Sequence, residues 1–224
     1  MSDPFWLGVR ATAQSIAARS LDVRVEGRDR VPSRGPALLV CRHYHHLYDG
    51  VALVLALPRP VRIVVALDWT SGAAQRLAME ALCALAGWPV VLREDGFRNP
   101  SGSGYQRSER RDRLRAALAQ CTKLARNGEL IAIFAQGFPA IDPLQGPGSG
   151  GGWLPLRTGY LGVARHLARA GIAVPIVPVG LGYEQAGERT AVTVRFGEPL
   201  TTAAVRDRGA FADGVERSVA ALSR

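Results

Sequence analysis

Residues 37–49 of this chain read Ala37-Leu38-Leu39-Val40-Cys41-Arg42-His43-Tyr44-His45-His46-Leu47-Tyr48-Asp49. The first five residues form a continuous apolar run, which is typical of a strand buried on both faces of a parallel sheet. Three of the chain's four histidines follow within four residues, and an aspartate comes close behind them. Histidine exchanges a proton near neutral pH and often serves as a general base. We therefore expect a general base at the end of a central strand.

Apolar strands and helical segments alternate along the whole chain, which indicates an α/β fold. Other strands are predicted at residues 21–27, 61–67, 89–92, 130–134, 174–180 and 191–196. Helices are predicted at residues 5–20, 46–57, 73–86, 108–127, 158–170 and 202–222. We expect a single domain over residues 21–224, with a largely parallel central sheet flanked by helices. Residues 1–20 should add an N-terminal amphipathic helix, which lies either on a membrane surface or against its own domain.

Composition narrows the class of protein. The 224 residues are 47% hydrophobic and 21% charged, which excludes a disordered chain. The net charge of +9 suggests an anionic partner such as a nucleic acid, a membrane surface or a phosphorylated substrate, unless it reflects a general arginine bias. Three scattered cysteines fit a reducing cytoplasm. No secretory leader and no transmembrane run are predicted.

Polar residues follow several of the predicted strands. The histidine cluster, Arg93 and the pair Gln136-Gly137 each come just after such a strand ends. In open parallel sheets, ligands bind beyond the carboxyl ends of the strands. We therefore expect these three groups to meet at one edge of the sheet.

Six short motifs follow one another through most of the chain. They are Val25-Glu26-Gly27-Arg28-Asp29-Arg30-Val31-Pro32, His43 with Asp49, Trp88-Pro89-Val90-Val91-Leu92-Arg93, Ile133-Phe134-Ala135-Gln136-Gly137, Val174-Pro175-Ile176-Val177-Pro178-Val179 and Val194-Arg195-Phe196-Gly197-Glu198-Pro199-Leu200. Their order and spacing resemble those of the glycerol-3-phosphate and lysophosphatidic acid acyltransferase superfamily. Each motif is short, and it is the shared order that carries the resemblance.

The resemblance implies an acyltransferase domain that moves a fatty acyl group from acyl-CoA or acyl-carrier protein to a hydroxyl of a glycerolipid such as lysophosphatidic acid. By this resemblance His43 is the general base and Asp49 orients it. Arg93, Gln136 and Gly137 then bind substrate, with donors near Gly137 stabilising the oxyanion. No metal and no cofactor besides the acyl donor is implied. The expected location is the cytoplasm, peripherally on the inner face of the cell membrane, beside a lysophospholipid acceptor.

The chain departs from the family pattern at two places. The family separates its histidine and aspartate by four residues, whereas five lie between His43 and Asp49. His45 lies about one helical turn before Asp49 and is the alternative base, although we favour His43. His46 stands where the family commonly has a serine, and we expect it to shape the pocket. Gln136 replaces a glutamate and so loses a charge, which leaves the acceptor's head group open.

Three rival functions are weighed against acyl transfer. The histidine cluster with Asp49 has some likeness to a zinc-dependent hydrolase, but the remaining histidine, His166, lies on a distant predicted helix. The basic residues at 107–115 alternate with acidic ones and match no nucleic-acid module, so no nucleic acid is expected. A non-catalytic lipid-binding relative would keep the fold without the chemistry. The presence of His43, Asp49 and Arg93 favours an enzyme.

Overall fold

The computed structural model describes residues 4–95, 103–140, 153–186, 189–201 and 207–224. The helices are α1 (Pro4–Ser20), α2 (Tyr48–Ala56), α3 (Ala73–Ala86), α4 (Glu109–Arg126), α5 (Gly159–Arg169) and α6 (Arg208–Leu222). The strands are β1 (Leu21–Glu26), β2 (Ala37–Cys41), β3 (Val61–Ile63), β4 (Val65–Ala66), β5 (Val90–Val91), β6 (Leu130–Phe134), β7 (Ile176–Ala186) and β8 (Arg189–Phe196). The predicted start of the last helix, at residue 202, lies outside the described residues.

Six strands form the central sheet in the order β1-β8-β7-β2-β6-β3. Every neighbouring pair in this sheet is parallel except β7 and β8, which form an antiparallel pair. Strand β2 lies between β6 and β7, and all five of its residues are buried. The prediction of an α/β domain with a largely parallel sheet is therefore confirmed, and the continuous apolar run is its central strand.

The predicted strand at 61–67 is wrong in one respect, because the chain divides here between two sheets. The Val64 amide still donates to the Ala132 carbonyl of β6, at 2.9 Å. The next amide, from Val65, donates instead to Pro89, also at 2.9 Å, and β4 pairs with β5 in a separate two-stranded sheet. Apolar residues continue through the crossing, so the sequence pattern does not reveal it.

Helices cover both faces of the central sheet. Along β2, Leu39 and Cys41 pack in the core shared with α1 and α2, whereas Leu38 and Val40 pack in the core shared with α4, α5 and α6. This alternation is the period of two expected for a strand buried on both faces. Helix α3 contributes Cys83 to a third, smaller core over β4 and β5.

Helix α1 packs on the domain that follows it. Trp6, Ala13 and Ala17 are buried against the core, while Leu7 remains 55% exposed. At the other end of the chain, Asp207 caps α6 by accepting hydrogen bonds from the first turn of the helix. Within the described ranges, no helix combines the length and apolar character needed to cross a bilayer.

Candidate active site

A histidine and an aspartate meet just beyond the end of β2. The imidazole Nδ1 of His43 lies 2.8 Å from the Oδ2 atom of Asp49. The Asp49 side chain is completely buried, and the His43 side chain is 17% exposed. The His43 ring packs against Phe134 at the end of β6, with 4.9 Å between ring centroids. Because a carboxylate oxygen only accepts hydrogen bonds, the contact favours the tautomer with a proton on Nδ1, which leaves Nε2 as the basic nitrogen.

Four donors surround the Asp49 carboxylate. Besides the His43 imidazole, its Oδ2 accepts the main-chain N–H groups of Tyr44 at 2.6 Å and of His45 at 3.1 Å. Its Oδ1 accepts the hydroxyl of Tyr183, from β7. The additional residue between His43 and Asp49 is accommodated because the chain turns around the carboxylate and aims successive amides at it. Asp49 also lies in the first turn of α2, where the helix dipole favours a negative charge.

His45 is engaged in a different way from His43. Its Nδ1 accepts hydrogen bonds from the main-chain N–H groups of Leu47 and Tyr48, each at 3.2 Å. The side chain of His45 therefore caps the start of α2, and its main-chain N–H donates to Asp49. Its ring stacks on Tyr48, with 4.1 Å between centroids. The 2.8 Å contact between the His43 imidazole and Asp49 favours His43 over His45 as the base, which stays a prediction.

His46 lies at the outer side of this cluster. Its side chain is exposed, and its ring stacks on that of His45 with 4.5 Å between centroids. It makes no hydrogen bond to Asp49 within the described residues. Its contacts therefore agree with a residue that shapes the rim of the site.

Gln136 connects two segments of chain beside His43. Its side chain is nearly buried, with 3% of the residue exposed. The Oε1 atom accepts the His43 main-chain N–H at 2.8 Å, and the Nε2 atom donates to the Leu154 carbonyl at 2.6 Å. An ionised glutamate accepts hydrogen bonds but does not donate them, so it would not bind the Leu154 carbonyl in this way. The glutamine therefore allows both segments to be held by one side chain.

Arg93 is paired with a buried carboxylate that the sequence analysis did not single out. Its Nη2 lies 2.7 Å from the Oδ2 of Asp68, and its Nε contacts both oxygens of the same carboxylate. Asp68 is fully buried, and the Arg93 side chain is 15% exposed. The Nη1 of Arg93 donates to the Gly137 carbonyl. The two acidic residues that follow Arg93 in the sequence pair with other arginines: Glu94 with Arg110, and Asp95 with Arg157.

A second arginine completes this part of the site. Arg157 donates its main-chain N–H to the Ala135 carbonyl at 2.8 Å, which holds its segment against the end of β6. Its guanidinium lies 5.3 Å from the centroid of the Phe138 ring, and that of Arg93 lies 3.8 Å from the same centroid. Both are favourable cation–π distances. Arg157 also pairs with Asp95 at 2.6 Å, but both side chains are well exposed, at 47% and 37%.

Gly137 makes the sharp turn between these groups possible. Its φ angle is +81°, in the left-handed region that glycine adopts without strain. An added Cβ would lie 2.9 Å from the Nε atom of Arg157, so a side chain here would displace that guanidinium. The Gly137 N–H donates to the Phe134 carbonyl at 3.1 Å. Gly137 therefore makes room for an arginine, and both of its main-chain polar groups bind protein partners.

Burial keeps Tyr183 and Cys41, which lie near the His43–Asp49 pair, in their neutral forms. Burial and the nearby Asp49 charge raise the pKa of the Tyr183 hydroxyl far above its usual range. Burial and the same charge raise the pKa of the Cys41 thiol well above its ordinary value. Both groups remain protonated at any ordinary pH, so Tyr183 stays a hydrogen-bond donor. Burial lowers the pKa of Arg42, while Asp49 opposes that shift.

Sequence reasoning thus missed three residues of the site, Asp68, Arg157 and Tyr183. Asp68 directly follows the predicted strand at 61–67, so its place at a strand end was a signal that could have found it. Arg157 and Tyr183 carry no comparable signal, since each is brought to the site by a long-range contact. No three His, Cys, Asp or Glu side chains among the described residues are arranged to hold a metal ion.

The structure shows an α/β domain with a histidine–aspartate pair beyond the end of its central strand. The family model named Acyltransferase matches residues 22–182, and the chain therefore belongs to the acyltransferase family. The resemblance found in the short motifs is thereby confirmed.

Among solved structures, the fold is similar to that of the 1-acyl-sn-glycerophosphate (LPA) acyltransferase PlsC from Thermotoga maritima. The TM-score is 0.60 at 16% sequence identity, and the alignment covers 96% of this chain and 77% of that one. No curated protein matches this chain in sequence. The structural likeness supports the fold, while the family match establishes the class of enzyme.

The Arg93–Asp68 pair predicts a specific difference in stability. Asp68→Ala leaves a largely buried guanidinium without its partner, which should lower the free energy of unfolding by about 3–5 kcal/mol. Asp112→Ala is the matched control, because the Asp112–Arg115 pair is exposed at 79% and 70%. Its loss should cost less than about 1 kcal/mol. Urea unfolding followed by circular dichroism measures both, and equal losses in the two variants would contradict the assignment.

Proposed function

We propose that this protein transfers a fatty acyl group from acyl-CoA or acyl-carrier protein to a hydroxyl of a lysophospholipid such as lysophosphatidic acid, with His43 as general base and Asp49 as its partner. The observation that carries the proposal is the 2.8 Å contact between His43 Nδ1 and the buried Asp49 carboxylate at the end of the central strand. Membership of the acyltransferase family supports the class of reaction. The structural likeness to a glycerophosphate acyltransferase supports the choice of a lysophospholipid acceptor.

The mechanism follows from the poor nucleophilicity of an alcohol at neutral pH. His43 Nε2 removes the hydroxyl proton of the acceptor as its oxygen attacks the thioester carbonyl. Asp49 holds the ring in the Nδ1–H tautomer and stabilises the imidazolium that forms, as the aspartate does in hydrolase triads. The acceptor oxygen attacks directly, so no covalent acyl-enzyme is required.

The second half of the reaction returns the proton. The tetrahedral intermediate collapses, the new ester C–O bond remains, and the C–S bond breaks. The departing thiolate takes the proton from the His43 imidazolium, which leaves neutral imidazole and a free thiol. His43 thus starts and ends the cycle in the same state, and no redox or metal step is part of this scheme.

The head group of the acceptor is proposed to bind beside Phe138. Arg157 is the better candidate for its phosphate, because its exposed pair with Asp95 contributes little and is readily exchanged for another anion. Arg93 is held by the buried Asp68, and breaking that pair would be costly. In this proposal Arg93 adds positive charge and supports the Gly137 carbonyl, while Arg157 contacts the phosphate. Gln136 contributes by holding the main chain of the base.

The proposed location is the inner face of the cell membrane, where the protein is bound peripherally. The net charge of +9 would favour an anionic lipid surface. Helix α1 exposes one large apolar side chain and α3 exposes three, namely Leu7, Leu77, Leu82 and Leu85. Such side chains can insert at the boundary between head groups and acyl chains.

The choice of base is tested by replacing each histidine. With acyl-CoA as donor and lysophosphatidic acid as acceptor, His43→Ala should lower the rate at which free coenzyme A thiol is released by about 10²–10⁴-fold. The reason is that the variant has no imidazole at this position to take the proton of the acceptor hydroxyl. His45→Ala is the control, since it removes the cap of α2 and should cost about 1 kcal/mol of stability while activity persists. The assay follows the free thiol with a chromogenic disulfide.

The opposite pattern, with activity retained in His43→Ala and lost in His45→Ala, would show that His45 is the base. Wild-type protein that releases no thiol from any acyl-CoA or acyl-carrier protein in the presence of lysophospholipids would overturn the proposed reaction. Circular dichroism at the assay temperature confirms that each variant is folded.

The head-group proposal predicts a selective change in substrate affinity. Arg157→Gln removes a charge-assisted contact worth about 1.5–3 kcal/mol, so KM for lysophosphatidic acid should rise by about 10- to 100-fold. KM for monoacylglycerol, which has no phosphate, should not change. Arg110→Gln is the matched control, because Arg110 forms a similarly exposed pair with Glu94. An equal rise for both acceptors would place the phosphate elsewhere.

A further inference from the structure

The two oxygens of the Asp49 carboxylate have different partners. Oδ2 contacts the His43 imidazole and two main-chain amides, whereas Oδ1 accepts the Tyr183 hydroxyl. The terminal torsion of an aspartate is broad, so a carboxylate held on one side only can rotate and exchange its oxygens. The Tyr183 hydroxyl opposes this rotation because it fixes the second oxygen.

We propose that Tyr183 is a positioning residue for the general base: it holds Asp49 so that Oδ2 stays on His43 Nδ1, and it draws part of the carboxylate charge away from the imidazole. The inference rests on the proposed function, since it assigns Tyr183 a role in activating His43. Tyr183 lies one residue beyond the segment that matches the family model, which ends at residue 182. Its assignment therefore comes from the geometry of this chain.

The ring of Tyr183 is itself held in place. Tyr44 stacks on it, with 4.5 Å between centroids, and the Arg42 guanidinium lies 4.7 Å above the Tyr44 ring. Arg42 donates to the carbonyl of Leu181 on β7 at 2.9 Å and to that of Ser223 after α6 at 3.1 Å. This stack joins the loop of the base to β7 and to the end of α6. The hydroxyl is therefore preorganised rather than carried on a mobile side chain.

The electrostatic surroundings define how the pair responds to pH. Besides the His43 imidazole, the groups that face the carboxylate are Cys41 at the end of β2, Arg42 directly after it, Tyr44 and His45 in the loop, and Tyr183 on β7. The pKa values of Cys41 and Tyr183 are raised well out of the neutral range. Neither the Cys41 thiol nor the Tyr183 hydroxyl therefore changes its charge near neutral pH.

The sign of the effect follows from the hydrogen bond. A donor on Oδ1 stabilises the carboxylate and spreads its negative charge, so the carboxylate stabilises the His43 imidazolium less strongly. Removing the hydroxyl leaves more of the carboxylate charge on Oδ2, next to the imidazole, so the imidazolium is stabilised more strongly. The base then remains protonated up to a higher pH, and the acid limb of kcat/KM should move upward by about half to one pH unit.

Tyr183→Phe tests this inference, because it removes one oxygen and keeps the ring in its stack. We expect kcat with acyl-CoA and lysophosphatidic acid to fall about 10- to 100-fold, since the dyad loses its fixed geometry, while KM changes less than about two-fold. Tyr160→Phe is the matched control. Tyr160 is buried, and its hydroxyl has no hydrogen-bond partner among the described residues. The Tyr160→Phe variant should have the same kcat and the same pH profile as wild type.

Each result separates the two proposals. Wild type that is inactive at every pH overturns the proposed function. An active wild type with an unchanged acid limb in Tyr183→Phe overturns the role of Tyr183, even if kcat falls, because a purely structural effect would lower the rate without moving that limb. An NMR titration of the His43 imidazole in the same variant gives a second reading that does not require turnover. A pKa equal to that of wild type would also overturn the inference.

Discussion

The buried carboxylate of Asp49 is the group on which this site depends. A charged group removed from water must have its hydrogen-bonding capacity satisfied, or its burial is costly. Asp49 is fully buried and accepts four hydrogen bonds, from the loop before α2 and from β7. That requirement sets the path of the chain from His43 to the first turn of α2. It also sets the separation between this loop and β7.

The sheet topology supplies the rigid frame for this carboxylate. β2 is paired on both sides, and β7 is one of its two neighbours, so His43 follows one strand and Tyr183 lies on the strand next to it. On the other side, β6 brings Phe134 against the His43 ring. The chain that follows β6 places the Gln136 side chain where it accepts the His43 main-chain N–H. The histidine is therefore supported from both neighbouring strands. Such support is what a base needs if it is to meet a substrate hydroxyl in a reproducible geometry.

Much of this arrangement could be predicted from the sequence, and the reason is local. The apolar run at 37–41 has the composition of a doubly buried strand, and His43, Arg93 and Gln136 each come just after a predicted strand. The pairing of His43 with Asp49 required only six residues of chain. The division of the predicted strand at 61–67 could not be predicted, because Val64 and Val65 look alike while their amides bind different sheets.

The contacts that could not be predicted are long-range. Tyr183 is 134 residues from Asp49, and Arg93 is 25 residues from Asp68. In the sequence Tyr183 resembles any strand residue, since nothing near it marks it as a partner for an acid. The choice between His43 and His45 was open for a related reason. Spacing along the chain does not show that the His43 imidazole lies beside the carboxylate, or that the His45 imidazole accepts the first amides of α2.

The most direct measurement of the central claim is the tautomer of His43 in the folded protein. Long-range ¹H–¹⁵N correlation spectra of the imidazole rings at neutral pH, assigned with the His43→Ala and His45→Ala variants, distinguish a protonated from a bare ring nitrogen. A base oriented by Asp49 predicts a proton on Nδ1 of His43 and an unprotonated Nε2. A His43 ring protonated on Nε2, with Nδ1 bare, would contradict the account.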